Sequence, residues 1–163
     1  IVPRHPERGD AISALAGGAP RRALGQPIGA APVYVADTLG ELGLLYAIAS
    51  VALVGGSLLT HLKGHNPIEP AKMGAAVLTG PYVESFEDVF ALLRARDGMV
   101  EVADPDAIAN QVTRLWRDDA ARLRLVRNAQ GVVAQGAAAF DRTVAALSTL
   151  VAAEAPRSAD APA

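Results

Sequence analysis

The 163-residue sequence contains no cysteine, so disulfide bonds, thiolate metal sites and cysteine nucleophiles are excluded. Aromatic residues make up only 4% of the chain, which argues against a stacking platform for single-stranded nucleic acid. An excess of basic charge is also missing, because 15 basic residues stand against 17 acidic ones and the net charge is −2. Nucleic acid is therefore not expected as a partner.

The short motifs of several enzyme classes are absent as well. The sequence has no G-x-x-x-x-G-K-[ST] phosphate loop, no G-x-G-x-x-G dinucleotide motif and no G-x-S-x-G nucleophile turn. P-loop enzymes, kinases, simple dehydrogenases and α/β-hydrolases are disfavoured for this reason. The chain does contain 51% hydrophobic residues, which is enough for the core of one domain.

The longest apolar run, residues 42–59, approaches the length of a membrane-spanning helix. It is interrupted by Ser50 and by the glycines of residues 55–57, and it has no basic or aromatic flanks. We interpret it as a helix over residues 39–49 that leads into a short buried strand at residues 51–54.

Short apolar segments alternate with amphipathic ones along the chain. Strands are predicted at residues 1–2, 33–35, 51–54, 76–78 and 99–102. Helices are predicted at residues 8–16, 39–49, 67–73, 84–95 and 105–116, then from residue 118 and over 137–153. The polar residues Asp37 and Thr38, Asn66 and Asp104 are expected to cap the helices that follow them. This alternation predicts an α/β fold, with a Rossmann-like parallel sheet flanked by helices and a helical C-terminal part.

The predicted domain covers residues 1–153, and residues 154–163 are predicted to form a disordered tail. The chain opens without Met on what looks like the end of a strand, so we expect a domain that belongs to a longer protein.

Ligands of such sheets bind at the carboxyl ends of the strands, which makes the loops after Val2, Val35, Val54 and Leu78 the candidates. In the first of these loops, Arg4 is suited to hold a phosphate or carboxylate through its guanidinium fork. A surface loop with a salt bridge explains the same residues equally well.

Two of the other loops lead into predicted helices. Gly40 lets a ligand approach the backbone and Glu41 lies in a first helical turn, although a plain capped helix is the favoured interpretation there. Ser57 follows a buried strand together with two glycines. Glu69 lies in the first turn of the next helix, where a carboxylate can accept the hydroxyls of a ribose or simply stabilise the helix.

A metal site is a competing interpretation of the same region. His61, His65 and Glu69 are spaced by four residues, which on one helix would place two imidazoles and a carboxylate on the same face. Gly64 and Pro67 interrupt that helix, so the sequence does not favour a metal.

Four segments together carry a family resemblance: PRHPER (residues 3–8), ADTLGELGLLYAIASVALVGGSL (36–58), GHNPIEPA (64–71) and TGPYVESFEDV (79–89). In this order and spacing they closely resemble the C-terminal half of the 3-deoxy-D-manno-octulosonic acid (Kdo) transferases of lipopolysaccharide synthesis. The resemblance extends over essentially the whole chain up to the tail.

The resemblance implies the donor-binding domain of a GT-B glycosyltransferase, an enzyme of two Rossmann-like domains that uses no metal or cofactor. The donor would be CMP-Kdo. The acceptor, a lipid A precursor (lipid IVA), would bind an N-terminal domain that this chain lacks and that would supply the general base. The chain alone would then hold no catalytic residue and be inactive. Members of the family work at the cytoplasmic face of the bacterial inner membrane through an N-terminal anchor, whereas the fragment itself is expected to be soluble.

The resemblance also implies donor-binding positions. They are Pro3 and Arg4 beside the donor phosphate; Leu39, Gly40 and Glu41 at a nucleotide-contacting helix start; Gly56 and Ser57 in a glycine turn; and Asn66, Pro67, Ile68 and Glu69 around the CMP, with Glu69 as the ribose acceptor. Lys63 departs from the family pattern, because it stands where a glycine is common and where a positive φ could be required. Its ammonium group could add a cation near the donor.

Two other functions stay open at this point. One is a non-catalytic nucleotide-binding or interaction domain, and the other is a different GT-B enzyme, such as a sugar-nucleotide epimerase or a UDP-sugar transferase. The presence of Arg4, Asn66 and Glu69 favours the Kdo transferase. A preference for CMP over UDP would distinguish it from its GT-B relatives.

Overall fold

A computed structural model describes the backbone of residues 1–154 and the side chains of residues 1–150. Two compact units are present, Ile1–Ile48 and Ala49–Ala163, which we call the first and the second unit. Apart from Glu154, the last helical residue, the predicted tail at residues 154–163 lies outside the described residues.

The first unit contains no extended strand, which corrects two predictions. Ile1 is 62% exposed rather than buried, and the predicted strand at residues 33–35 is reduced to a single bridge between Arg21 and Val35. Pairing nevertheless occurs, since the amino group of Ile1 donates to Tyr34 O at 2.7 Å and Ala36 N donates to Ile1 O at 2.8 Å. Each pairing involves too few residues to form a strand ladder.

Two helices complete the first unit. A 3₁₀ turn at Pro6–Arg8 leads into α1, Gly9–Leu15, close to the predicted range. Helix α2 is Leu42–Ile48 and begins three residues later than predicted. Gly40 has a φ of 83°, which is incompatible with the start of an α-helix, so the helix begins after it.

The second unit contains a parallel sheet, as predicted. Its strands are β1 (Val51–Val54), β2 (Ala76–Thr79) and β3 (Met99–Glu101), in the order β1-β2-β3. All four residues of the central strand β2 are buried. A parallel strand covered on both faces has no solvent side, which explains why its sequence is apolar without alternation.

Helices surround this sheet. They are α3 (Ile68–Met73), α4 (Glu87–Ala95), α5 (Pro105–Arg117) and α6 (Asp119–Glu154), with 3₁₀ turns at Thr60–Leu62 and Glu84–Phe86. The Asp104 carboxylate accepts a hydrogen bond from Ala107 N at 2.7 Å, which is the predicted cap of α5. The two helices predicted after residue 118 are one continuous helix. Gly131 and Gly136 lie inside α6 and do not break it.

The core of the second unit lies on both faces of the sheet. Val77 belongs to a cluster with Phe90 and Leu93, whereas its neighbour Leu78 belongs to a cluster with Leu115. Adjacent strand residues point to opposite faces, so the two clusters cover the two sides. Helix α6 contributes to both: Ala121, Leu125 and Val126 to one, and Ala129 and Val132 to the other.

Within residues 1–154, no helix is both long enough and apolar enough to cross a membrane. The apolar run at residues 42–59 forms α2, β1 and a turn, which confirms the predicted division into helix and strand.

Candidate functional site

The loops after β1 and β2 are joined by one buried hydroxyl. The hydroxyl of Ser57 is fully buried and donates a hydrogen bond to Val54 O at 2.7 Å. It accepts one from Gly80 N, also at 2.7 Å. The carboxyl ends of two neighbouring strands are therefore held together by the side chain that follows β1.

Gly80 lies directly against the backbone of Ser57. A Cβ atom at this position would overlap the carbonyl group of Ser57. The same carbonyl accepts a hydrogen bond from Tyr82 N at 2.9 Å. A residue with a side chain would separate the two loops, so this close approach requires glycine.

The loop after β1 then folds back onto its own start. Gly64 N donates to Gly56 O at 3.3 Å, and both glycines have a φ of 79°. A Cβ on Gly56 would lie 3.0 Å from Nε2 of His65, so the ring of His65 covers this glycine. The glycine turn thereby comes next to the segment that opens α3.

The start of α3 presents Glu69 on a rigid turn. The side chain of Asn66 accepts a hydrogen bond from Ile68 N at 2.9 Å, although the N-cap position of α3 is Pro67 rather than the predicted Asn66. Pro67 and Pro70 are fully buried on either side of Glu69. Glu69 itself is exposed in the first helical turn. The structure thus brings the predicted residues of the second unit, Gly56, Ser57 and Asn66 to Glu69, to one edge of the sheet.

Lys63 adopts the left-handed conformation, with φ 56° and ψ 21°. Its carbonyl oxygen accepts a hydrogen bond from Ser85 N at 3.0 Å, so the conformation is part of the loop's bonding. The positive φ considered for this position is thus present, with a lysine rather than a glycine adopting it.

The three residues considered for a metal site do not share a helix. His61 lies in the 3₁₀ turn Thr60–Leu62 and Glu69 lies in α3, with the left-handed Gly64 between them. In the described part of the chain, no group of three histidine or carboxylate side chains is placed to hold a metal ion.

In the first unit, Arg4 and Gly40 lie in loops that follow two paired segments, the one at Ile1 and the one at residues 34–36. Ile1 N donates to Tyr34 O, and Ile1 O accepts from Ala36 N, which is the pattern of parallel segments. The two loops therefore start at the same end of the paired segments. Arg4 is exposed, and Leu39 is 81% exposed.

The carboxylate of Glu41 is already bonded within the first unit. Arg22 donates from Nε to both carboxylate oxygens at 3.2 and 3.1 Å and from a terminal nitrogen at 2.7 Å. The Thr38 hydroxyl also donates to Glu41. The hydrogen bonds from Arg22 and then Thr38 lower the pKa of Glu41 to about 2. The sequence gives no sign of this partner, because Arg22 lies in a glycine-rich loop 19 residues away.

Asp37 does not cap α2, which corrects a further prediction. Its carboxylate is completely buried and accepts hydrogen bonds from Arg21 Nε at 2.7 Å and from Ala23 N at 2.8 Å. Burial alone would raise the pKa of Asp37, but the hydrogen bonds from Ala23 and Arg21 outweigh it and the pKa is lowered. A Cβ at Gly9 would overlap this carboxylate, so glycine makes room for the ion pair.

Sequence comparison identifies relatives from different bacteria that carry the same name. The chain is 33% identical over 148 residues to the 3-deoxy-D-manno-octulosonic acid transferase of Haemophilus influenzae, covering 87% of this chain and 34% of that protein. It is 33% identical over 153 residues to the Bordetella pertussis enzyme of the same name, covering 90% and 36%. The chain thus spans about a third of the length of the curated relatives it matches. No protein-family model matches the chain.

One solved structure is similar to this chain in both fold and sequence. The crystal structure of the C-terminal CMP-Kdo binding domain of WaaA from Acinetobacter baumannii matches with a TM-score of 0.77 and 31% identity. The match covers 81% of this chain and 72% of that chain. The chain therefore belongs to the 3-deoxy-D-manno-octulosonic acid (Kdo) transferase family, of which it represents the C-terminal part.

Proposed function

We propose that this chain is the donor-binding domain of a glycosyltransferase that transfers Kdo from CMP-Kdo to a lipid A precursor (lipid IVA). The observation that carries the proposal is the match to the CMP-Kdo binding domain, at a TM-score of 0.77 and 31% identity. The full-length enzyme would bind its acceptor, and reach the cytoplasmic face of the inner membrane, through its N-terminal part.

In the second unit, Glu69 is the residue to which we assign the ribose. It is exposed while the prolines on both sides of it are buried, so the carboxylate is presented to solvent with little freedom of its backbone. A carboxylate in this position can accept both ribose hydroxyls. Gly56, whose missing Cβ makes room for the ring of His65, would shape the glycine turn beside the nucleotide. The hydroxyl of Ser57 would maintain the loop rather than contact the donor, because both of its hydrogen bonds are internal.

In the first unit, we assign the donor phosphate to Arg4 beside Pro3. Its exposed guanidinium can form two parallel hydrogen bonds to a phosphate. Leu39 and Gly40 would contact the nucleotide, with Gly40 offering its backbone. The carboxylate of Glu41 is occupied by Arg22 and would therefore hold the shape of this loop.

The chemistry follows from this division of roles. The CMP phosphate leaves as an anion, and a guanidinium beside it stabilises the charge that develops in the transition state. The sugar centre gains oxocarbenium character, and the acceptor hydroxyl attacks it after deprotonation by a carboxylate outside this chain. Arg4 would therefore promote departure of the leaving group, while proton transfer belongs to the N-terminal part of the enzyme.

Calorimetric titration of the chain with CMP, UMP and UDP tests the proposal. We expect CMP to bind with a Kd of about 1 mM, which corresponds to about −4 kcal/mol, and more tightly than UMP or UDP. Glu69→Ala should weaken CMP binding about tenfold. Asp106→Ala is the matched control, since Asp106 is also an exposed acid in a first helical turn and has no assigned contact.

Absence of CMP binding in a folded sample would contradict the proposal, and so would equal binding by Glu69→Ala and the wild type. A preference for UDP would instead indicate a GT-B enzyme with a different donor.

A further inference from the structure

A small pocket opens in the second unit, away from the loops after β1 and β2. It has a volume of about 260 Å³ and lies between the turn that follows α4, the last turn of α5 and the early part of α6. Met99 and Val100, the first residues of β3, form part of its wall. Because the three strands are parallel, the amino end of β3 lies opposite the edge that carries Gly56 and Gly80.

Two arginines from different helices line this pocket, Arg114 of α5 and Arg124 of α6. Gln111 accepts a hydrogen bond from Nε of Arg114 at 2.8 Å, which orients the guanidinium and leaves its terminal N–H groups available. Arg124 forms no hydrogen bond or ion pair with any residue that the structure describes. Arg127, three residues further along α6, is exposed and has no such partner either.

This concentration of positive charge is not explained by helix stability. Arg114 lies in the last turn of α5, where a cation interacts favourably with the helix dipole. Arg124 and Arg127 lie in the interior of a 36-residue helix. There, two like charges three residues apart repel each other and cost a few tenths of a kcal/mol. The net charge of the whole chain is −2, so the cluster is also not a consequence of a basic composition.

We propose that this pocket binds a phosphate group. Two guanidinium groups that line one pocket from different helices can each form paired hydrogen bonds to a phosphate, whose negative charge offsets theirs. Asp97 also lines the pocket, and its carboxylate can accept a hydrogen bond from a protonated phosphate oxygen or from a hydroxyl of the same ligand. The volume lies just below that of typical small-molecule sites, so it suits a phosphate group rather than a whole nucleotide.

The phosphate can belong to a small soluble ester or to a phospholipid headgroup, and the experiment distinguishes the two. Calorimetry measures binding of inorganic phosphate and glycerol phosphate at constant ionic strength, in the presence of saturating CMP so that the donor site is occupied. Cosedimentation measures binding to phosphatidylcholine vesicles with and without phosphatidylglycerol.

The test variant is the double substitution Arg114→Gln, Arg124→Gln, and the matched control is Arg142→Gln, an exposed arginine of α6 outside the pocket. We expect binding of phosphate or of anionic vesicles that the double variant weakens at least tenfold and the control retains. Loss confined to the soluble esters identifies a small ligand, and loss confined to vesicles identifies a headgroup. No saturable binding of either kind, or equal binding by all three proteins, would overturn the proposal. CMP titration of the double variant shows that it is folded and separates this result from the proposed donor site.

Discussion

The carboxylate of Asp37 is completely buried and lies 2.7 Å from Nε of Arg21, which is itself only 12% exposed. This ion pair is the most buried charge in the described part of the first unit, where the buried apolar residues are Ala19, Val35 and Ala36. With so little apolar surface to bury, the unit depends on its polar contacts more than the second unit does.

Asp37→Asn is therefore expected to destabilise the protein by about 3 kcal/mol, since it leaves Arg21 partly buried opposite a neutral group. Asp10→Asn is the control, because Asp10 pairs with the same arginine but is 89% exposed. It should cost less than about 1 kcal/mol. Urea unfolding of the two variants measures the difference. Equal effects would show that burial of Asp37 does not matter.

Acid should weaken the first unit through Asp37 and Glu41. Folding lowers the pKa of both groups, that of Glu41 from 4.5 to about 2 and that of Asp37 below 3.8. Each contribution to stability is fully present above the ordinary pKa of the group and is lost as the pH falls through its folded-state value. Unfolding by urea at about pH 6 and about pH 3 should show part of the loss, because the folded-state pKa of Glu41 is about 2.

The double variant Asp37→Asn, Glu41→Gln is expected to have a shallower pH dependence over that range. An unchanged pH profile in this variant would mean that other carboxylates cause the acid sensitivity.

Lys63→Gly should stabilise the protein by up to about 1 kcal/mol. A residue with a side chain pays about 1–2 kcal/mol in the left-handed region, and glycine does not. The greater freedom of glycine in the unfolded chain offsets part of this gain. Lys72→Gly is the opposite control, since Lys72 lies in the last turn of α3 and the substitution should cost about 1 kcal/mol. Thermal unfolding measures both changes. Destabilisation by Lys63→Gly would show that the lysine side chain stabilises the loop.

Gly80→Ala should destabilise the second unit by about 1–3 kcal/mol, because the new methyl group overlaps the carbonyl of Ser57 and pushes the loops after β1 and β2 apart. It should also weaken CMP binding if these loops hold the donor as proposed. Gly131→Ala is the control, because a Cβ there has no neighbour within 4 Å and lies in a helix. That substitution should stabilise by about 0.5–1 kcal/mol. Similar unfolding midpoints of the two variants would contradict the close approach at Gly80.

Local signals in the sequence determined most of the second unit. An apolar run bounded by glycines indicated β1, and the same pattern indicated β2. The Asp104 cap before a proline indicated the start of α5. Each of these depends on residues a few positions apart, and each agrees with the structure within about two residues. The family resemblance, which rests on four short motifs, is confirmed in the same way by sequence and fold.

Only the tertiary structure decided which polar groups of distant segments form hydrogen bonds with one another. The bonds of Asp37 to Arg21, of Glu41 to Arg22 and of Ser57 to Gly80 join residues 16, 19 and 23 positions apart. No local periodicity encodes such pairs, because the backbone must first fold to bring the groups together. For that reason the local sequence indicates a helix cap at Asp37 and a buried strand end at Ile1, and the structure shows neither. The sequence by itself determined the sheet and most helices of the second unit and the place of Glu69 in a first helical turn, whereas folding determined which polar groups support the loops around them.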